Sequence, residues 1–268
     1  MLTDQQISSA ADLLDHAERS LEQIGLLSQA YPAMDMADAY RIQDCWVKRK
    51  QAAGDTQVGM KIGLTSRAMQ QALNITMPDS GVLLESMQFL DGAVITNGRF
   101  IAPRVEAELA FIMKSDLKPK ASIYDVLNAT DFVVPALEIL DTRIQRIDPV
   151  SGRTRNVCDT IADNAANAGF VLGANPIKPD THDLRWLGAL VSANGQVQET
   201  GLAAGVLNHP AQGIAWLAER LGTLGEHIRA GQIVLSGSFI RPIEAPPGTT
   251  ITADFGPLGT IACHFAQE

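Results

Sequence analysis

The sequence predicts an α+β protein, with two N-terminal helices followed by a mainly β core that carries a few short helices. Up to about residue 51, apolar residues recur at three- and four-residue spacing, the period of amphipathic helices. Beyond Gly54 the texture changes to short β-branched runs punctuated by Gly, Pro, Asn and Asp. With 268 residues, 46% of them hydrophobic, the chain can bury a sizeable core. The division expected is a helical cap or arm over 1–54 and a β-rich catalytic core over 55–268, the two forming one structural unit.

The first helix is expected from Thr3 to about Ser28, its stripe made by Ile7, Ala10, Ala11, Leu14, Ala17, Leu21, Ile24 and Leu27, with Pro32 beyond its end. A second runs from Met36 to about Gln51, its basic residues near the C-terminus where the helix dipole favours them. Strand-like runs follow: QVGMKIGL, GAVITNG, AELAFIM, FVVPALEIL, GFVLGA, GALVSANGQVQETG, GQIVLSGSFI and TTITADFGPLGTIACHF. Short helices are expected at 66–73, 123–129 and 212–221, the last just past Pro210. Asn194-Gly195 marks a hairpin turn. Residues 143–156, RIQRIDPVSGRTRN, read as an exposed loop between two apolar elements.

Charge and cysteine content exclude several classes. A net charge of −9 without a Lys/Arg cluster argues against a nucleic-acid surface, and an anionic substrate would need locally placed cations. Cys45, Cys158 and Cys263 form no C-x-x-C pair and suggest neither a disulfide framework nor a zinc site, as expected in a reducing cytoplasm. No leader-like N-terminus and no long apolar span is seen, so the expectation is a cytoplasmic protein with no membrane partner.

The chemistry concentrates in carboxylates placed where a core strand would carry Val or Leu. Glu106 and Glu108 in PRVEAELAFI lie one residue apart, so both point to one face of their strand. DFVVPALEILD adds Glu138. Unpaired buried carboxylates cost several kcal/mol each, so three together need protons, basic partners or a cation. All-oxygen ligation suits a hard ion such as Mg²⁺ or Mn²⁺ better than Zn²⁺. The competing reading puts E-x-E on the solvent face of a half-buried strand, although the flanking apolar residues leave no clean polar face.

Lys61 sits between Met60 and Ile62 in an apolar strand, before a Gly-containing turn and the Thr65/Ser66 cap of a short helix. Buried, it becomes a proton-transfer group or faces carboxylates or an anion; at a strand end it would simply snorkel to water. Ser66 opens a helix whose free N–H groups suit a carboxylate. Asp79 lies in PDSG, which by itself reads as a turn. DTIADNAANAG offers Asp159, Asp163, Asn164 and Asn167, with a capped turn as the competing reading. In SGS at 236–238, glycine permits close ligand approach and the hydroxyls can orient it. His209 reads as structural.

Taken in order, K-I-G-L-T-S, P-D-x-G, P-R-x-E-x-E-L-A-F, V-x-P-A-L-E-I-x-D-x-R, D-T-I-x-D-N-A-A-N-A-G and G-Q-I-V-L-S-G-S resemble the hydratase/decarboxylase branch of the fumarylacetoacetate-hydrolase superfamily over nearly the whole chain. The resemblance implies a mixed-sheet, barrel-like β core of the fumarylacetoacetate-hydrolase type. It implies Mg²⁺ or Mn²⁺ held by Glu106, Glu108 and Glu138, with Lys61 and Asp79 handling protons and Ser66, Asn164, Ser238 and Arg143 binding substrate. It also implies a homo-oligomer, a decamer among the states it admits. The implied reaction adds water to a 2-oxo-4-enoate with a second carboxylate, a seven-carbon diacid of aromatic (homoprotocatechuate) catabolism. Alternatives are hydration of the five-carbon monoacid, decarboxylation of an oxalocrotonate-type diacid, a silent partner subunit, and acylpyruvate hydrolysis, which would need a positioned His–Glu dyad near the N-terminal helices; His16 and Glu18 lie in the first helix, but nothing marks them as that dyad. Asp79 favours hydration, because the family's decarboxylases carry an apolar residue there; Ser80 departs from the aromatic expected. Arg143, Arg146, Arg153 and Arg155 offer a clamp for the distal carboxylate, or else form a solvated loop at an oligomer contact.

Overall fold

The computed structural model of the chain describes residues 1–72 and 75–268, and among them are seven helices and thirteen strands. Helix α1 (Asp4–Ser20) starts at a capping box, in which the Thr3 hydroxyl accepts from Gln6 N and the Gln6 side chain accepts from Thr3 N. It ends earlier than its periodicity predicts. Leu21 turns left-handed, and Ile24 then bridges to Ile144, donating to Arg143 O at 2.8 Å and accepting from Gln145 N at 2.9 Å. A long-range pairing thus overrides a local helical pattern, and only α2 (Leu27–Ala30) follows. Helix α3 (Met36–Ala52), capped by Asp35, matches the expected second helix.

The β region opens with β1 (Gln57–Gly63), α4 (Arg67–Ala72) and β2 (Asp79–Leu84). The expected helix over 66–73 corresponds to α4, and residue 73 lies outside the described residues. PDSG is the entry to β2, with Asp79 its first residue, instead of a free-standing turn. Short β3 (Gln88–Phe89) and β4 (Ala93–Ile95) precede β5 (Arg104–Met113), α5 (Ile123–Ala129) and β6 (Thr130–Leu140). Helix α6 (Val157–Ala162), capped by Asn156 and Asp159, occupies the start of the segment for which a capped turn was the competing reading, and β7 (Asn167–Leu172) follows it. The hairpin of β8 (Gly188–Ala193) and β9 (Gln196–Leu202) turns through Asn194 and Gly195, both at positive φ, as a two-residue primed turn requires. The chain finishes with α7 (Pro210–Thr223), longer at both ends than expected, then β10 (Ile233–Leu235), β11 (Ile243–Glu244), β12 (Thr250–Asp254) and β13 (Thr260–Phe265). His209 caps α7 through its ring, with Pro210 in the first turn.

Eight strands form one mixed sheet in the order β2-β1-β10-β5-β6-β7-β3, with β11 also on β5. The other five run β4-β13-β12-β8-β9. Strand parity sorts the side chains into two cores. Val105, Ala107, Leu109, Phe111 and Met113 of β5, with Val133, Leu137 and Ile139 of β6, pack toward the five-stranded sheet, α5 and α7. Ala110 of β5, with Val134 and Ala136 of β6, Phe170 of β7 and Leu235 of β10, packs against Ile7, Leu14, Ile42 and Trp46 of α1 and α3 and Ile161 of α6. The N-terminal helices therefore cover the second face of the eight-stranded sheet, the face to which the even-numbered residues of β5 point.

Candidate active site

Arg104, Glu106 and Glu108 alternate along that face of β5, and antiparallel pairing sets Glu138 of β6 directly opposite Glu106. The three carboxylates each bring an oxygen within 4.8 Å of the others, Glu108 and Glu138 buried and Glu106 half-buried. On the far side of β5, β10 joins it to β1, and this places Lys61 beside the cluster. Its Nζ lies 3.1 Å from Glu138 Oε1 and donates to Ala165 O at 3.1 Å. In the β1–β2 ladder Gly63 pairs with Asp79, so the Asp79 carboxylate enters the same buried space. A Cβ at residue 63 would lie 2.2 Å from Asp79 Oδ1 and 3.0 Å from Lys61 Nζ. Only glycine leaves both groups where they are.

The backbone around the cluster is unusual. Asn164, Ala165 and Ala166 all have φ between 51 and 59°, the left-handed region that costs non-glycine residues roughly 1–2 kcal/mol each. This turn aims Ala165 O at Lys61. Glu108 accepts from Gly237 N at 2.8 Å, and Glu138 accepts from Asn167 Nδ2 at 2.8 Å. Gly237 holds φ +111° against Thr65, whose hydroxyl would stand 2.4 Å from an added Cβ.

Four carboxylates thus face one ammonium. Burial, then the Glu138 charge, pushes Glu106 up to about 8. Burial, Glu138 and Glu106 push Glu108 well above the usual carboxylate range. Asp79 is also raised, by burial, against the opposing pull of Lys61. Burial works to discharge Lys61, but the four surrounding carboxylates outweigh it and raise its pKa. Glu138 Oε2 and Asp79 Oδ1 are buried without a hydrogen-bond partner among the described residues. A surplus of clustered carboxylate oxygens, unpartnered atoms among them, fits a hard divalent cation, which would be held by Glu106, Glu108 and Glu138.

The other residues expected to bind substrate are placed differently. Arg143 is inside the protein: its guanidinium pairs with Asp163, donates to the carbonyls of Asp163 and Asn167 at 3.0 Å, and lies over the Trp46 ring. It braces the left-handed turn and is not a substrate clamp. A sequence run of arginines cannot tell a buried partner from an exposed one. Asn164 is likewise committed, accepting from Val82 N at 2.8 Å and donating to Val82 O at 2.9 Å, so it extends the β2 ladder by its side chain. The Ser238 hydroxyl closes a local turn with both backbone groups of Ile240. Ser66 is half-buried just before α4, next to buried Thr65. In sequence Gly63 and Thr65 carry only turn and cap signals, whereas Gly237 of S-G-S and Asn167 stand among the candidates. His16 is exposed and Glu18 pairs with Lys50, so the hydrolase dyad does not form.

No protein-family model matches the chain. It is 53% identical over 256 residues to 2-oxo-hept-4-ene-1,7-dioate hydratase of Escherichia coli, covering 95% of this chain and 96% of that one. Among solved structures, 4-oxalocrotonate decarboxylase from Pseudomonas putida G7, complexed with magnesium and adipate, superposes with a TM-score of 0.93 at 33% identity, covering 99% of each chain. Fumarylacetoacetate hydrolase from Exiguobacterium antarcticum, at 10% identity and TM-score 0.59 over 79% of this chain and 76% of that one, shares the fold alone. Together with the carboxylate–lysine cluster, these relationships establish that the chain belongs to the family that holds 2-oxo-hept-4-ene-1,7-dioate hydratase and 4-oxalocrotonate decarboxylase, built on the fold of fumarylacetoacetate hydrolase.

Proposed function

We propose that the protein is a divalent-metal-dependent hydro-lyase that adds water to 2-oxohept-4-ene-1,7-dioate, or its 2-hydroxy-2,4-diene tautomer, to give 4-hydroxy-2-oxoheptane-1,7-dioate. The observation that carries this reading is Lys61 and Asp79 meeting beside the Glu106–Glu108–Glu138 triad. Similarity to the Escherichia coli hydratase supports the substrate. Mg²⁺ or Mn²⁺ would be held by Glu106, Glu108 and Glu138 and would supply Lewis-acid polarisation of the 2-oxo acid.

The residues divide the remaining work. Lys61, held charged by its carboxylate neighbours and oriented by Glu138 and Ala165 O, supplies positive charge for the C1 carboxylate. Asp79 has an unpartnered oxygen, and burial raises its pKa, so its carboxyl holds a proton more readily than an ordinary aspartate and is placed to take and return one. Ketonisation removes the enol proton and adds one at C5. Hydration then removes a proton from water as its oxygen bonds to C4, and adds one at C3. In each half one proton leaves an oxygen and one reaches carbon, so a single carboxyl cycling between its two forms balances both. Asn164 and Arg143 hold the turn and strand that carry these groups.

Decarboxylation is the nearest competitor, and Asp79 argues against it. The test is ultraviolet loss of 2-hydroxyhepta-2,4-diene-1,7-dioate with Mg²⁺ or with excess chelator, with product masses recorded. Metal-dependent formation of a water adduct, abolished in Asp79→Asn, is expected; CO₂ release or no turnover refutes the assignment. Among the described residues no helix is long and apolar enough to cross a membrane. We read the protein as a cytoplasmic homo-oligomer, and sedimentation measures its subunit number.

A further inference from the structure

The loop arginines separate into three groups. Arg143 is internal and Arg153 is exposed. Arg146 and Arg155 occupy facing positions of a small hairpin: Ile147 bridges Thr154, Arg155 N donates to Arg146 O at 3.0 Å, and Asp148 N donates to Arg153 O at 2.8 Å. Facing residues of an antiparallel pair project from the same side, and like charges so placed repel. The charges of Arg104 and Arg155 reach Arg146, and that of Arg104 reaches Arg155, so the three guanidiniums share one locality.

That locality adjoins the candidate active site. Arg104 precedes Glu106 by two residues on the same strand face, a step of about 7 Å, the order of the span between the carboxylates of a short dioate. The charge of Arg155 acts on Asp79, and that of Arg104 acts on Glu106. Counter-charge for the arginines is scarce. Glu244 is bonded to Arg104 and lies 3.7 Å from Arg146. Neighbouring carboxylates are occupied: Asp163 by Arg143, Asp141 by the amides of Ile101 and Ala102, and Asp159 by Ser28. Among the described residues Arg155 has one side-chain partner, the Thr142 hydroxyl at 2.8 Å, and the buried Arg146 Nε has none. Three guanidiniums kept together with spare donors beside a substrate site suit a carboxylate.

We infer that Arg155 and Arg146, with Arg104 behind them, form the subsite for the distal carboxylate of a dicarboxylate substrate and set its preference over the monoacid. This rests on the reading of the site as one that takes a 2-oxo acid. The test is calorimetric binding of two saturated ligands, 2-oxoheptanedioate and 2-oxoheptanoate, to the Mg²⁺-loaded protein. The natural chain should bind the dioate about tenfold or more tightly, as expected for charge-assisted hydrogen bonds. Arg155→Met should erase that preference with the monoacid's affinity within about twofold, and Arg155→Lys should restore part of it. Should Arg155→Met lose its melting transition, Arg146→Met is read in the same way. No dioate preference in the natural chain, or equal loss of both ligands in the variants, overturns the subsite. The ligands cannot be hydrated, so a dioate preference without turnover leaves the subsite standing and refutes the hydratase assignment. Turnover without that preference does the reverse.

Discussion

Gly63 shows how little room the chemistry has. Glycine is required there for space: a methyl would sit between the Asp79 carboxylate and the Lys61 ammonium. Gly63→Ala is therefore expected to cut kcat by about a hundredfold, the scale of a misplaced catalytic group, while circular dichroism stays native. The triad carries a second prediction at this scale. With metal removed, Glu106 titrates at about 8 in the folded protein against an ordinary 4.5, and Glu108 is raised too. Between those values the folded state holds more protons than the unfolded one, so this contribution to stability is full below 4.5 and is lost as pH rises through about 8. The chelated protein should melt at a higher temperature at pH 6 than at pH 8. Added Mg²⁺ should raise the melting temperature more at pH 8, where fewer protons must leave the ligands. A flat response to Mg²⁺ across this range would remove the triad as the metal site.

Between residue and whole molecule, the left-handed turn Asn164–Ala165–Ala166 is the element on which the site depends. It presents a carbonyl to Lys61, ties to β2 through Asn164, and is held from behind by Arg143 and Asp163. Asn164→Ala would leave both backbone groups of Val82 without their present partners, costing about 2 kcal/mol or more by urea titration. Activity should fall further than stability, because the same strand carries Asp79. Ala165→Gly should act oppositely, relieving left-handed strain worth up to about 1 kcal/mol while leaving the carbonyl in place. Equal destabilisation by both substitutions would show that the turn stores no strain.

At the level of the whole molecule, the helical layer and the site share one foundation. Trp46 of α3 lies against Arg143, which pairs with Asp163 and reaches the residues beside Lys61. Arg143→Met would strand a buried Asp163 and should cost about 3–5 kcal/mol, with Arg143→Met/Asp163→Asn recovering part of that loss. In a Trp186→Phe/Trp216→Phe background, which leaves Trp46 as the single tryptophan, unfolding monitored by fluorescence and by far-ultraviolet dichroism should coincide. Separate transitions would make residues 1–54 an independent arm, although they bury one face of the main sheet.

Local period and residue type were enough for part of this architecture. The α+β class, helix α3, the Asn194-Gly195 hairpin and the three glutamates in apolar strands all follow from spacing, turn chemistry and the cost of burying charge. The ordered motifs added Lys61 and Asp79. Direction and partnership came from the folded chain. Whether an arginine of residues 143–156 faces Asp163 or the site depends on how the loop folds back, and four similar arginines have different surroundings. Asn164 and Ser238 have side chains suited to binding ligand, but nearby backbone groups engage them first. Helix α1 ends at Leu21 because Ile24 finds a partner more than a hundred residues away. Such pairings are set by register between strands distant in sequence, so no local window contains them.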